Sequence, residues 1–220
     1  MLLFIWVGKT WLGGISVCSI KLNRYSSLLA PSPKWTLTIP AFPDKIPPSQ
    51  VLPTHINRSK KLFEVGKDYV KKGGFIDLTT SSNPNFLEPE ELRASEGLNL
   101  LVKENIDINN VTFSSDGNGS MPIFDEDGNL TGLGICEVSS LYLETKEAIK
   151  KYDIKIEDAI KVITSNVARV LKLENKGTIT EGKDADLVMV NKDTLDIDLV
   201  IAMGKIMVKD GEPIVKGTFE

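Results

Sequence analysis

The sequence predicts an α/β protein, a parallel sheet built from strand–helix units with a small antiparallel β module appended. Two patterns carry this reading. From Gln50 to Leu171 short apolar runs alternate with amphipathic stretches, the signature of right-handed βαβ units. From Gly177 onward the chain changes to short β runs separated by turns such as Glu181-Gly182 and Asp210-Gly211. A chain of 220 residues, 41% apolar, is long enough to bury a core of this kind.

Each element has its own warrant. Gln50 to Ile56 reads as a short buried strand ending in Pro53-Thr54-His55. Ser59 to Lys72 places Leu62, Phe63, Tyr69 and Val70 on one helical face, and Gly73-Gly74 stops that helix. Phe75 to Thr80 follows as a strand. Pro89 suits a first helical turn, with Leu92, Leu98, Leu101 and Val102 as the apolar side of the next helix. Val111 to Ser115 is a third strand, running into the polar loop Asp116 to Ser120. Helices are expected over about 137–151 and 156–171, the second with Ile156, Ile160, Ile163, Val167 and Val170 at helical spacing. The β module should comprise runs at 178–180, 187–190, 199–203, 206–208 and 214–215. Asp125 to Asn129 briefly resembles a calcium loop, but Leu130 stands where that loop needs glycine, so a hairpin tip is expected.

Composition narrows the function classes. A net charge of −4 argues against a sequence-blind nucleic-acid binder. Cys18 and Cys136 lie too far apart for metal-ligand spacing, which favours free thiols in a reducing, cytoplasmic compartment. Residues 1–43 hold no Asp or Glu and all three tryptophans, and seven of the eleven prolines fall between Pro31 and Pro53. That break marks a boundary near Pro43 to Pro48. The apolar opening Leu2 to Ile20 is interrupted by Lys9 and two glycines, too broken for a membrane span. It lacks the basic region and cleavage site of a signal peptide, and 1–43 reads as an atypical leader. No phosphate-binding loop, dinucleotide fingerprint or serine nucleophile elbow is present.

The polar ends of the three strands are the candidates for chemistry, because ligands gather at the carboxyl ends of parallel strands. His55 places an imidazole at a strand end, suited to a divalent metal, and Arg58 a guanidinium suited to a substrate carboxylate. The alternative is a loop histidine with Arg58 in a surface ion pair. Asp116 follows a strand, flanked by glycines that let a ligand approach the backbone, and there a carboxylate can bind metal and move a proton. The alternative is a solvated Asp in a glycine-rich turn. The chain has a single histidine, so any site that needs histidine ligands must work with His55 alone.

Four stretches come in a recognisable order: Leu52 to Arg58, Lys72 to Asp77, Phe113 to Ser120 and Gly182 to Leu187, followed by the tail from Gly204. Together they resemble the C-terminal part of the isoaspartyl (β-aspartyl) dipeptidases of the amidohydrolase superfamily, over about residues 44–220. The resemblance implies a distorted (β/α)₈ barrel, of which 44–176 would be a part, with 177–220 as its small β module and 1–43 unmatched. It implies a two-zinc site hydrolysing β-aspartyl dipeptides and assembly into homo-oligomers, with neither nucleic acid nor membrane as partner. By motif, His55 corresponds to a metal ligand, Asp116 to the aspartate that binds metal and handles the proton, and Arg58 and Ser120 to substrate contacts. The family pattern also needs a His-x-His pair, a further histidine and a bridging lysine, and no matching motif supplies them. A truncated gene product is therefore expected. Two alternatives stand beside it: a non-catalytic fragment or assembly module, and an amidohydrolase acting on another amide.

Overall fold

The computed structural model describes residues 47–82, 90–125, 127 and 129–217, with the backbone of 2–4. In chain order the elements are β1 (Leu2–Phe4), α1 (Lys60–Lys71), β2 (Ile76–Thr79), α2 (Ala94–Lys103), β3 (Val111–Ser114), β4 (Ser120–Phe124) and β5 (Leu130–Ile135). They continue with α3 (Ser140–Tyr152), α4 (Ile156–Ala159), α5 (Ser165–Val170), β6 (Leu187–Val190), β7 (Ile197–Ala202), β8 (Lys205–Lys209) and β9 (Glu212–Pro213). The described residues form two units, one ending at Ser140 and the other starting at Leu141 and including β1.

The first unit is a βαβ arrangement. Helix α1 buries Leu62, Phe63, Tyr69 and Val70, the face its spacing predicts. A Cβ at Gly66 would stand 2.6 Å from Ile56 Cγ2, so the bare glycine is what lets α1 lie against the 3₁₀ turn Ile56–Arg58. Gly73, at φ +81°, ends the helix and donates its N–H to Val70 O at 2.8 Å. Strands β2 and β3 pair in parallel, from Ile76 opposite Val111 to Thr79 opposite Ser114. Strand alternation splits their side chains: Leu78 packs towards Gly97 and Phe63, while Asp77 accepts hydrogen bonds from Thr112 and Ser114 on the opposite face. The hairpin β4–β5 closes through Asp125, whose carboxylate accepts from Asn129 N at 2.8 Å, as the hairpin-tip reading expects.

One expectation fails here. Residues 50–56 do not form a strand. The chain instead runs through a 3₁₀ turn at Pro48–Gln50 and bonds β2 through Asp77 N–H to Pro53 O at 3.0 Å. Pro53 has no donor to contribute to a ladder, and His55 turns the backbone at φ 60°. The described residues form three sheets, β2–β3, β4–β5 and one five-stranded sheet, with no closed barrel among them. The helix start read at Pro89 lies outside the described residues, and α2 begins at Ala94.

In the second unit the strands order β1-β6-β7-β8-β9, with every neighbour antiparallel. Val188, Val190 and Leu195 form its core, covered by Tyr142, Ile149 and Ile160 from the helices. The sequence grammar changes at Gly177, but helices α3 to α5 belong with the β module. The continuous helix expected over 156–171 is broken into α4, a 3₁₀ turn and α5 by Thr164 at φ −127°, ψ −96°. Val162-Ile163-Thr164 is a β-branched run, and Thr164 Oγ1 donates to Ile160 O at 2.6 Å, so side-chain crowding and a competing hydrogen bond act at one place. The run at 178–180 is not a strand. That loop winds round Lys176, whose ammonium pairs with Asp184 at 2.9 Å and with buried Asp186. The run at 214–215 is likewise displaced, to β9. Of the leader, only Leu2–Phe4 is described, and Leu2 pairs opposite Val190. No helix among the described residues is long and apolar enough to cross a membrane.

Candidate functional site

The carboxyl end of β2, the segment before α2 and the turn before α1 meet through one side chain, Asn57. It is fully buried. Its amide donates to Thr79 O at 2.9 Å and Leu92 O at 2.8 Å, and its Oδ1 accepts from Thr79 N at 2.7 Å. The backbone adds Leu92 N–H to Asn57 O at 2.8 Å. Three segments distant in sequence are thereby fixed around the turn that carries His55 and Arg58.

On that frame His55 Nε2 lies 3.6 Å from Asp116 Oδ2. Both residues sit in left-handed backbone, at φ 60° and 48°, a conformation costly for non-glycine residues that functional loops often retain. His55 Nδ1 is 3.0 Å from Thr54 Oγ1. The Asp116 loop is tied down by Gly119 N–H to Asp116 O at 2.9 Å, Asn118 N–H to Cys136 O at 3.0 Å and Cys136 N–H to Gly119 O at 2.8 Å. A Cβ at Gly119 would lie 2.7 Å from Asp116 O, so this turn needs glycine there.

Arg58 is held separately. Its Nη1 pairs with Glu91, and its Nη2 donates to Ser81 Oγ at 2.9 Å and Ser81 O at 3.3 Å. Arg58 is thus ion-paired, and the Glu91 side chain that holds it is only 3% exposed. Ser120 opens β4, exposed and opposite Ile135 in the ladder. The structure thus brings His55 and Asp116 together and clamps Arg58, and it places Ser120 at the end of the Asp116 loop.

Two buried groups feel this charge. Burial pushes the Asp77 carboxyl up to about 7, the Asp116 charge adds to the rise, and the Ser114 and Thr112 hydroxyls oppose it. Burial, then the Asp116 charge, raises the Cys136 thiol, while a Ser81 hydrogen bond and the Arg58 charge pull it down. Among the described residues no group of three or more His, Cys, Asp or Glu side chains could hold a metal ion.

Asn57, Ser81 and Glu91 escape the sequence reading. Asn57 lies inside the His55 motif but looks like spacer, and Glu91 reads only as the start of a helix. Their roles depend on tertiary contacts across 22 to 35 residues of chain, for which a single sequence has no signal.

Residues 82–207, more than half of the chain, match the amidohydrolase family. The chain belongs to that family. Among solved structures, this amidohydrolase is similar to a β-aspartyl dipeptidase from Fervidobacterium islandicum AW-1 in complex with β-Asp-Leu dipeptide, at 37% identity and a TM-score of 0.67. The match covers 79% of this chain and 43% of that one. A second structure of β-aspartyl dipeptidase from that organism matches at 33% identity and a TM-score of 0.64, over 79% and 42%. A 58-residue stretch, 26% of this chain, is 40% identical to 14% of an imidazolonepropionase from Kosmotoga olearia. The amidohydrolase therefore spans less than half the length of the dipeptidases it resembles in structure.

Proposed function

We propose that this chain carries one part of a metal-dependent site for hydrolysis of β-aspartyl dipeptides. The observation that carries the reading is the convergence of His55 and Asp116, with Arg58 clamped on the same frame, in a chain 37% identical to a β-aspartyl dipeptidase. Amidohydrolases are generally metal-dependent, and the donor pair fits. Tetrahedral zinc, with bonds of about 2.0–2.2 Å, sets a nitrogen and an oxygen ligand roughly 3.5 Å apart. The observed separation is 3.6 Å, too long for a direct hydrogen bond. His55 and Asp116 would supply two ligands, fewer than a closed coordination sphere needs.

A divalent ion held there supplies Lewis acidity and brings water close to neutral pKa. The residues' own tasks follow from their positions. Asp116, on its glycine-braced loop with a side chain 49% exposed, takes the proton of the attacking water and passes it to the leaving amide nitrogen. Arg58 offers a guanidinium of fixed orientation to a substrate carboxylate, and Ser120 offers a hydroxyl from the end of the Asp116 loop. Buried Asp77 braces β3 two residues before Asp116 through Ser114.

The single histidine and the partial coverage favour a second statement about this polypeptide: alone it turns over little or no substrate. Metal analysis and a β-Asp-Leu hydrolysis assay on the purified chain test both. Measurable zinc binding lost in His55→Ala and Asp116→Ala, with negligible turnover, is expected. Two tightly bound zinc ions with rapid turnover would overturn the partial-site statement. Zinc binding indifferent to both substitutions would overturn the site assignment.

A further inference from the structure

We propose that Glu91 is a positioning residue for Arg58, setting the direction in which the guanidinium meets a ligand. The carboxylate is nearly inaccessible to solvent, at 3% exposure, whereas the Arg58 side chain it holds is 29% exposed. One side of the guanidinium is therefore anchored in the interior while the rest reaches outward. The anchor is itself fixed. Glu91 Oε1 also accepts from Ser82 Oγ at 2.7 Å, and Leu92, the next residue, is bonded through both backbone groups to Asn57, the neighbour of Arg58. Ser81 holds Nη2 and is in turn 2.7 Å from Thr79 Oγ1. Glu91 and Ser81 thus grip the two terminal nitrogens, and none of these bonds uses Nε–H among the five donors of a guanidinium.

A fixed direction matters because a guanidinium meets a carboxylate as a planar fork, and a freely turning side chain would present that fork in many orientations. Glu91 and Ser81 remove that freedom by engaging Arg58 from the buried side. The consequence for substrate rests on the reading proposed above, but the positioning itself does not.

Arginine modification by phenylglyoxal, mapped by mass spectrometry on the full chain, tests the idea, with exposed Arg169 of the other unit as internal reference. Glu91→Ala should speed modification of Arg58 relative to Arg169 about tenfold, the factor that one charge-assisted hydrogen bond protects. Glu91→Gln keeps an oxygen that accepts from Nη1, and its rate should stay within about threefold of the unsubstituted chain. Glu91→Asp keeps the charge but shortens the reach, and should exceed Glu91→Gln. It also serves if the alanine variant does not fold, with the far-ultraviolet circular dichroism of each variant as the check. An unchanged Arg58 rate in Glu91→Ala, or Glu91→Gln as reactive as Glu91→Ala, overturns the proposal. Protection of Arg58 by millimolar β-Asp-Leu is a separate arm, and its failure with the variant series intact would sink the substrate reading alone.

Discussion

Removing the Asn57 side chain should destabilise the first unit more than any other single polar substitution around the site. Asn57→Ala deletes three hydrogen bonds of 2.7–2.9 Å, two of them donated to carbonyls, at a position of 0% exposure. A buried polar group stripped of its partner costs about 1–3 kcal/mol, and here Thr79 N, Thr79 O and Leu92 O each lose one. Allowing for relaxation and residual water access, the expected loss is about 3–5 kcal/mol, a large share of the roughly 5–15 kcal/mol that stabilises a domain. Asn57→Asp is the control for shape. It keeps the oxygen that accepts from Thr79 N but turns two donated bonds into contacts between a carboxylate and carbonyls, so it should also be strongly destabilising without leaving a cavity. Urea unfolding followed by far-ultraviolet circular dichroism measures both. Hydrogen exchange at Thr79 should accelerate in parallel. An Asn57→Ala loss below about 1 kcal/mol would show that the three segments are held by packing alone, and the hub argument would fail.

Other outcomes follow from the same geometry. Asp77 titrates near 7 when folded, against 3.8 for the ordinary carboxyl, so the folded state binds the extra proton; its contribution is complete below pH 4 and disappears as pH rises through 7. In the presence of a chelator, Asp77→Asn should flatten that decline, worth roughly 4 kcal/mol between pH 4 and 8, and an unchanged slope would refute the assignment. Asp186→Asn breaks a buried pair with Lys176 and weakens the cap on Met203 N (2.6 Å). About 3 kcal/mol should be lost from the second unit by thermal unfolding, and an unmoved midpoint would contradict a structural role for this motif aspartate. Gly119→Ala forces a Cβ to within 2.7 Å of Asp116 O and should cost about 1–3 kcal/mol while shifting the Asp116 amide resonance, and wild-type stability with an unmoved resonance would refute the strain argument.

Much of this protein is legible in its sequence because the physics involved is local. The helical period of Leu62, Phe63, Tyr69 and Val70, the Gly73 stop, the buried runs of β2 and β3 and the hairpin tip at Asp125 each depend on neighbours a few residues away. His55, Arg58 and Asp116 draw notice as imidazole, guanidinium and carboxylate at the ends of apolar runs, but the sequence offers each a structural reading too: a loop histidine, an ion pair, a solvated turn. Elsewhere the local signal misleads. Apolar period favours one long helix over 156–171, but Thr164 bonds back to Ile160 and breaks it. Residues 50–56 look like a strand by burial, yet Pro53 and the left-handed His55 withhold them from a ladder. What only the tertiary structure decides is which groups face each other. Asn57 becomes a hub because Thr79 and Leu92, 22 and 35 residues away, present carbonyls to it, and Glu91 becomes the anchor of Arg58 across 33 residues. Residue type determines what a side chain can bond, and the path of the chain through space determines which partner it meets.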